Sequence, residues 1–305
     1  MKKSDIYQHL DELSQGHAPD TIVDGCLVLE GGAFRGLYTA GVLDVLMQEG
    51  INLQTTVGVS AGALNGMNYC SGDIGRSARF NLSYRHDERY VGREAFRRNN
   101  EVIGFDFLFS EEINEKMPFD LKRFSDPRRE FYAVATDCES GLPTYFGKDS
   151  SNIFLAVKAS SAMPFLSEMV MIDEKPYLDG GCSVKIPLDF AISSGKEKIV
   201  VVTTRDKSYR RKKNELPRLS QAVYHRYPAF VNAQLHTNRY YNETVERITD
   251  MEKKGKLFWI APSEPVRISR LEGDMEKLGD LYWLGQKDAK TLLPALKEYL
   301  NIKEG

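Results

Sequence analysis

The feature that most constrains the fold is an alternation of short apolar runs with helical segments, often joined through glycines. The runs "CLVLEGG", "TTVGVS", "EFYAVATDCESG", "KPYLDGG", "EKIVVVTTR" and "KLFWIAPS" are apolar and partly β-branched, as is typical of buried strands. Segments with apolar residues at helical spacing, such as "GLYTAGVLDVLMQEG", separate several of these runs. The alternation predicts an α/β protein with a mostly parallel central sheet.

A change of composition near residue 205 divides the chain. The stretch "RDKSYRRKKNELPR" (205–218) holds seven basic residues against two acids and precedes a long polar helical stretch and a helical tail. We therefore expect three parts. These are an N-terminal helical extension over 1–22 with a short helix in "DIYQHLDELSQ", a main domain over 23–205, and a mainly helical C-terminal region over 206–305 packed on or beside it.

Length, charge and cysteine content exclude several classes of protein. With 305 residues, 42% of them hydrophobic, the chain can bury one large core, and a net charge of -2 gives no indication of nucleic-acid binding. The four scattered cysteines form no C-x-x-C pair, so we expect neither a structural metal site nor a disulfide framework. Without a secretory leader or an apolar run of about 18 residues, the expected location is the cytoplasm.

Ser60 is the first candidate for chemistry. It lies between Gly58 and Gly62 in "GVSAG", after a predicted strand and before a predicted helix. This G-x-S-x-G spacing suits a nucleophile elbow, in which the sharp turn exposes the serine and leaves no room for bulky residues two positions away. A helix beginning at residue 61 would also direct free N–H groups toward developing negative charge. The alternative is a small residue in a crowded loop.

The glycine loop "GGAFRG" (31–36) is the second candidate, because it follows a strand and opens a helix. It lacks the Gly-Lys-Ser/Thr ending of a phosphate-binding P-loop. It also lacks the acid that a dinucleotide-binding unit carries at the end of its next strand. Neighbouring parallel strands would bring the loop beside Ser60, so an oxyanion hole made by the N–H groups of Gly32 and Ala33 is the favoured interpretation. An ordinary helix-start loop is the alternative.

Asp179 in "YLDGG" is the preferred candidate for the base. It ends a predicted strand and precedes two glycines, which would present its carboxylate at a tight turn. Partial burial would raise its pKa and strengthen it as a base. Among the five histidines, His225 and His236 are late enough for a Ser-Asp-His order, but both lie in a polar helical stretch.

These motifs together resemble the patatin-like phospholipase family. The order "LVLE", "GGAFRG", "LYTAGVLDVL", "GVSAG", "KASSAMPFL" and "YLDGG" follows the pattern of that family over about residues 25 to 205. The resemblance implies a three-layer α/β/α fold and a lipid acyl hydrolase with a Ser-Asp dyad and no cofactor. Carried over to this chain, it implies Ser60 as nucleophile, Asp179 as base, the DGG turn Gly180 and Gly181, and oxyanion donors from the loop Gly31, Gly32, Ala33, Phe34, Arg35 and Gly36.

One departure from the family pattern is Ala33, where a third consecutive glycine is usual. Alanine keeps the N–H group but disfavours positive φ, so we expect the hole to survive only if the loop needs an ordinary φ there. A Ser-Asp-His esterase and a non-catalytic regulatory protein that kept the fold are the competing readings of the whole chain.

The implied partner is a lipid or related ester, and the oligomeric state is left open. Arg35 would anchor its loop or meet a phosphate, with a surface salt bridge as the plainer reading. The basic stretch 205–218 and the run "RHDERYVGREAFRRNNE" are each typical of a solvated loop; peripheral contact with anionic headgroups at the inner membrane surface is the alternative.

Overall fold

The computed structural model describes residues 5–212 and 217–302. Its strands are β1 (Gly16–His17), β2 (Val23–Leu29), β3 (Leu53–Val59), β4 (Asp73–Ile74), β5 (Glu130–Asp137), β6 (Pro143–Gly147), β7 (Val170–Ile172), β8 (Lys175–Asp179), β9 (Ile199–Val202) and β10 (Phe258–Ile260). Its helices are α1 (Gly36–Gln48), α2 (Ala61–Ser71), α3 (Arg76–Tyr84), α4 (Arg93–Asn99), α5 (Phe105–Leu108), α6 (Glu111–Lys116), α7 (Leu121–Phe124), α8 (Ile153–Ser161), α9 (Leu188–Ser193), α10 (Pro217–Val223), α11 (Pro228–Lys253) and α12 (Met275–Tyr299).

A central sheet organises these elements. Within the described residues it has eight strands in the order β10-β9-β2-β3-β5-β8-β7, with β6 paired to β5. The five strands from β10 to β5 run parallel, whereas β6, β7 and β8 pair in antiparallel fashion. The mostly parallel sheet predicted from the sequence is therefore confirmed, and its antiparallel edge adds β6 and β7, which the sequence analysis did not identify.

The register along β5 is the detail that matters most for the site. Its residues up to Val134 pair with β3, whose last residue Val59 lies opposite Val134. The next residue, Ala135, pairs with Asp179 at the end of β8. Because β6 occupies the other edge of β5, β3 and β8 share one edge and meet end to end. The carboxyl ends of both strands therefore face each other across one step of β5.

Helices cover both faces of the sheet. Side chains alternate along β2, so Leu27 and Leu29 belong to the large core cluster that also includes residues of α1, α2, α8 and α12. Cys26 and Val28 belong to a second cluster, formed with residues of α9 and α11 on the opposite face. This arrangement is the three-layer α/β/α architecture that the family resemblance implied, with α11 and α12 as the main helices of the C-terminal region.

The N-terminal segment differs from its prediction. A helix was expected over "DIYQHLDELSQ", but the structure has one 3-10 turn there, Leu10–Glu12. Contacts to α12 hold the segment instead: Trp283 Nε1 donates a hydrogen bond of 3.0 Å to the Tyr7 hydroxyl, and Ser14 N–H donates one of 3.3 Å to the Tyr282 hydroxyl. Tertiary contacts thus replace the helical hydrogen bonds that the local sequence favours.

Burial and hydropathy add two findings. All four cysteines, Cys26, Cys70, Cys138 and Cys182, are buried free thiols. Across residues 5–212 and 217–302, no helix combines the length and apolar character that crossing a lipid bilayer requires.

The packing of α12 on α1 depends on one pair of glycines. A Cβ atom on Gly41 of α1 would lie 2.1 Å from the Tyr282 carbonyl oxygen of α12. A Cβ on Gly285 of α12 would lie 2.1 Å from the Tyr38 carbonyl oxygen of α1. The two helices therefore touch backbone to backbone, and neither position has room for a side chain.

We predict that Gly41→Ala lowers the free energy of unfolding by about 1 to 3 kcal/mol, because the added methyl group must separate α1 from α12. This loss would oppose the gain that alanine normally gives a helix over glycine. Urea denaturation measures the change. Gly147→Ala is the control, since its nearest neighbour would lie at 3.4 Å; equal stability of the two variants would contradict the tight helix contact.

Candidate functional site

Ser60 occupies the sharp turn between β3 and α2. Its backbone has φ 56° and ψ −124°, a strained conformation for a residue with a side chain. The flanking glycines are required by contact: a Cβ on Gly58 would lie 2.4 Å from the Gly62 carbonyl oxygen, and one on Gly62 would lie 2.6 Å from the Leu29 carbonyl oxygen. The G-x-S-x-G spacing thus corresponds to a strand-to-helix turn that bulkier residues could not form.

Asp179 is the hydrogen-bond partner of this serine. Ser60 Oγ donates to Asp179 Oδ2 at 2.8 Å, across a sequence separation of 119 residues. The end-to-end meeting of β3 and β8 beside β5 explains the contact, since one residue follows Val59 and the other ends β8. Both side chains are 8% exposed. The geometry suits proton transfer from a hydroxyl to a carboxylate.

Burial changes the proton affinity of this carboxylate. Desolvation raises the pKa of Asp179 above its ordinary value of 3.8, and the hydrogen bonds from Ser60 and the Gly181 N–H partly oppose that rise. The Gly181 N–H donates to Asp179 Oδ1 at 2.7 Å. One carboxylate oxygen is therefore held by the DGG turn, and the other faces the serine.

The two glycines of the DGG turn differ in their surroundings. A Cβ on Gly180 would lie 2.1 Å from the Val134 carbonyl oxygen, so no other residue fits between β5 and the turn. Gly181 instead contributes backbone: its carbonyl oxygen accepts hydrogen bonds from Lys185 Nζ at 2.5 Å and from Thr237 Oγ1 at 3.0 Å. The second contact ties the turn to α11.

Ser160 supports the turn at Ser60, although the sequence analysis assigned it no role. Its Oγ accepts a 2.8 Å hydrogen bond from the Ser60 N–H and donates one of 2.6 Å to the Val134 carbonyl oxygen. It is fully buried at the end of α8. Its segment "KASSAMP" was recognised as part of the family pattern, but nothing in its local sequence distinguishes Ser160 from Ser161.

The glycine loop lies directly against Ser60. A Cβ on Gly31 would lie 3.1 Å from Ser60 Cβ, as expected for loops that follow neighbouring parallel strands. Four of the six loop N–H groups already donate to backbone carbonyls, namely those of Gly31, Phe34, Arg35 and Gly36. Within residues 5–212 and 217–302, the N–H groups of Gly32 and Ala33 make no hydrogen bond. Among the six N–H groups of the loop, the structure thus leaves those of Gly32 and Ala33 available as hydrogen-bond donors.

Ala33 has a positive φ of 48°, so the ordinary φ on which the sequence analysis made survival of the oxyanion hole depend is not present. Alanine can adopt the left-handed region, although steric contact of its Cβ costs roughly 1 kcal/mol. The Ala33 N–H is free of hydrogen bonds within the described residues. The departure from three consecutive glycines thus places a strained residue in the loop.

A cavity of about 520 Å³ opens beside Ser60 and Asp179. Its wall includes cationic side chains from both parts of the chain: Arg35, Lys185, Arg210, Arg211, Lys212 and Arg270. Desolvation, and next the charge of Arg211, lower the pKa of Lys185 from 10.5 to about 7. Residues beyond 205, to which sequence analysis gave no chemistry, therefore contribute directly to the surroundings of Ser60.

Ser60 also lines a second, smaller cavity of about 50 Å³. Its walls are mostly apolar and come from the start of α1, from α2 and from the segment between α3 and α5. The larger side chains that line it are Phe34, Leu37, Leu64, Tyr90, Ile103, Phe105 and Met163. Ser60 thus lines both a basic and an apolar cavity.

The late histidines lie elsewhere. His225, in the turn between α10 and α11, has Nδ1 3.1 Å from the Ala222 carbonyl oxygen, and His236 on α11 has Nδ1 2.8 Å from the Asn232 carbonyl oxygen. Among the described residues that line either cavity there is no histidine. The described residues also contain no group of three or more His, Cys, Asp or Glu side chains placed to hold a metal ion.

The basic stretch 205–218 is partly fixed in place. Asn242 of α11 accepts a hydrogen bond from the Arg211 N–H at 2.8 Å and donates one to the Arg211 carbonyl at 3.0 Å. Asn238, one turn earlier, donates to the Lys212 carbonyl at 2.9 Å. Residues 213–216 of this stretch lie outside the described residues. Up to residue 212 the stretch is a wall of the larger cavity.

Comparison with known proteins places these features in a family. A family model described as patatin-like phospholipase matches residues 27–192, just over half of the chain. A second model, described as a domain of unknown function (DUF6363), matches residues 227–301. The first range includes the glycine loop, Ser60 and Asp179, and the second includes all of α11 and α12.

Two curated relatives and one solved structure are similar to this chain. The uncharacterized protein YjjU of Escherichia coli (strain K12) is 33% identical over 183 residues, which cover 58% of this chain and only about half (51%) of that protein. The probable lipid hydrolase 463L of Invertebrate iridescent virus 6 is 25% identical over 209 residues, covering 60% of this chain and 71% of that one. VipD from Legionella pneumophila superposes with a TM-score of 0.47 at 12% identity, covering 97% of this chain and 71% of that one.

We predict that Ala33→Gly raises the free energy of unfolding by about 0.4 to 1 kcal/mol, because glycine adopts the φ of 48° without steric strain. Ala33→Val should lower it, since a β-branched side chain is a poorer fit to positive φ. Ala295→Gly, at an exposed position of α12, is the control and should cost about 1 kcal/mol. Urea denaturation of the three variants decides; a loss at both glycine substitutions would show that Ala33 is unstrained.

Proposed function

The chain belongs to the patatin-like phospholipase family, and from this premise we propose that it is a serine acyl hydrolase acting on lipid or related carboxylic esters. The observation that carries the proposal is the 2.8 Å hydrogen bond from Ser60 Oγ to the buried carboxylate of Asp179. The name of one relative, a probable lipid hydrolase, agrees with this class of reaction.

The proposed reaction proceeds in two steps. Asp179 takes the hydroxyl proton as Ser60 Oγ attacks the ester carbonyl; the new Oγ–C bond forms, the bond to the alcohol breaks, and the proton passes to the departing alkoxide. Water then gives a proton to Asp179 and attacks the acyl-serine, and the proton returns to Ser60 Oγ as the carboxylic acid leaves. The raised pKa of Asp179 makes it a stronger base than an exposed aspartate.

The proposed oxyanion hole consists of the Gly32 and Ala33 N–H groups. Both are free of hydrogen bonds within the described residues, and their loop lies against Ser60. Free donors that are already in position stabilise the charge of a tetrahedral intermediate without reorganising first, and one such donor is worth roughly 3 to 4 kcal/mol where it has been removed in other enzymes. No metal or cofactor is part of the proposed reaction.

The two competing readings find less support. A Ser-Asp-His triad needs an imidazole between serine and carboxylate, whereas here Ser60 and Asp179 are in direct contact. A non-catalytic protein that kept the fold has no need for a strained serine at φ 56° facing a buried carboxylate. The domain limits at residues 22 and 205, the cytoplasmic location and peripheral contact with a membrane remain predictions.

We predict that a fluorophosphonate probe labels the native protein on Ser60 and that Ser60→Ala abolishes both labelling and hydrolysis of p-nitrophenyl esters. Asp179→Asn should reduce both rates by orders of magnitude, since asparagine cannot accept the proton. Mass spectrometry locates the label, and circular dichroism verifies that the variants are folded.

The control for the base is the double variant His225→Ala/His236→Ala. It should retain the hydrolysis rate within a few-fold, because neither ring contacts Ser60. Labelling of a different serine, or collapse of activity in the histidine variant, would rule out the Ser-Asp dyad.

The acid limb of the pH profile offers a separate prediction. Asp179 acts as a base only when ionised, so kcat/KM should fall with decreasing pH as Asp179 becomes protonated, with a midpoint above its ordinary 3.8. The profile is measured on p-nitrophenyl butyrate, and circular dichroism at each pH excludes unfolding. The midpoint should be the same in the double histidine variant; a limb that disappears with the histidines would assign it to them.

A further inference from the structure

The charged side chains that line the larger cavity beside Ser60 are, with one exception among the described residues, cationic. Arg35, Lys185, Arg211 and Arg270 reach it from four separate segments of the chain. Among the described residues that line it, Asp179 is the one carboxylate, and it already accepts hydrogen bonds from Ser60 and Gly181. Behind the wall, the buried carboxylate of Glu30 lies 3.5 Å from Arg211 Nη2, so the four cations outnumber the carboxylates available to them.

The excess of positive charge extends into the protein interior at Arg35. Its side chain is 3% exposed, and its Nε atom is buried without a hydrogen-bond partner. In residues 5–212 and 217–302, its guanidinium forms neither a hydrogen bond nor an ion pair. Desolvation, followed by the neighbouring charge of Arg205, lowers the pKa of Arg35 to about 10. Burying a cation without a partner costs several kcal/mol, a cost that an anion in the cavity would offset.

Arg211 is held rigidly at the same wall. Asn242 binds its backbone on both sides, and its guanidinium lies 4.5 Å from the centre of the Tyr241 ring. Arg211 Nη2 also lies 3.5 Å from Glu30 Oε1, while the other Glu30 oxygen accepts from the Thr204 N–H at 2.8 Å. A guanidinium fixed in this way is prepared to bind a phosphate without losing much side-chain freedom.

The apolar cavity that Ser60 also lines would orient a substrate. Its volume of about 50 Å³ is space for about four water-sized atoms, which is the size of a short acyl chain. A charged group has no counter-charge there, because the lining side chains are aromatic, aliphatic or uncharged polar. The acyl part of an ester therefore fits the apolar cavity, and the alcohol part fits the basic one.

We infer that the substrate of Ser60 is an ester between a short acyl group and an alcohol bearing a phosphomonoester, whose phosphate lies against Arg35, Arg211 and Lys185. This inference rests on the proposed function, because it names the substrate class of that site. A cavity of about 520 Å³ has room for a glycerol phosphate or a comparable alcohol. The charge of the phosphate would keep Lys185, with its lowered pKa, in the protonated form.

The test compares esters that differ only in the phosphate. Release of butyrate is measured from 1-butyrylglycerol 3-phosphate and from 1-butyrylglycerol. We expect kcat/KM to be about 10- to 100-fold higher for the phosphorylated ester, the range given by one or two charge-assisted hydrogen bonds. Glycerol 3-phosphate should also slow the labelling of Ser60 by the fluorophosphonate probe, whereas glycerol should not.

The variants identify the source of the preference. Arg211→Gln should reduce the ratio of the two kcat/KM values toward one, and Arg211→Lys should retain part of it. Arg239→Gln is the matched control: Arg239 lies on α11 with a side chain that is 63% exposed, outside the residues that line the cavity, and the ratio should not change. Thermal melting verifies that each variant is folded.

A second pair of substrates separates a soluble ester from a lipid headgroup. The rate of fatty-acid release from vesicles of phosphatidylcholine with dioleoyl phosphatidate is compared with the rate from vesicles of phosphatidylcholine alone. A preference for phosphate in the butyryl pair supports a soluble substrate. A preference in the vesicle pair alone would assign the phosphate to a lipid headgroup and would reject the short acyl group. Equal rates in both pairs, with Ser60 still labelled, would overturn the inference and leave the proposed function intact. Loss of labelling at Ser60 would instead reject the proposed function.

Discussion

The whole site depends on the way in which β5 pairs with two strands along one edge. Val134 pairs with the last residue of β3, and Ala135 pairs with the last residue of β8. Because β3 is parallel to β5 and β8 is antiparallel, their carboxyl ends converge from opposite directions. Ser60 and Asp179, far apart in sequence, are thereby set side by side by backbone hydrogen bonds. The contact between Ser60 and Asp179 therefore follows from the register of the sheet.

The sequence was sufficient for the parts of the site that follow from local backbone geometry. Close backbone approach or a tight turn requires glycine around Ser60, in the loop after β2 and in the DGG turn. The spacing of glycines in the sequence therefore predicts these features directly. The alternation of strands and helices predicted the parallel part of the sheet for the same reason.

Other parts could not be predicted from the sequence because they depend on contacts between distant segments. Ser160 acts through the Ser60 N–H, and Lys185 and Arg211 come together only because they line one cavity. Contacts with α12 hold the described part of the N-terminal segment, from residue 5, in place of a helix of its own. The sequence identified Ala33 as a departure from the family pattern, but it could not predict the positive φ, which depends on how the loop packs beside Ser60. These features depend on tertiary contacts, which leave no periodic pattern in the sequence.

The contact between α1 and α12 has a consequence for how related sequences can diverge. Gly41 faces the carbonyl of Tyr282 and Gly285 faces the carbonyl of Tyr38, so each helix offers a glycine to the residue three positions before the other helix's glycine. A larger residue at one position would move the axes apart and remove the reason for glycine at the other. We therefore expect substitutions at the two sites to be coupled during evolution, so that both glycines are kept or both are replaced. Since α1 begins where the glycine loop ends, a lineage that lost the pair would also have to find another support for that loop.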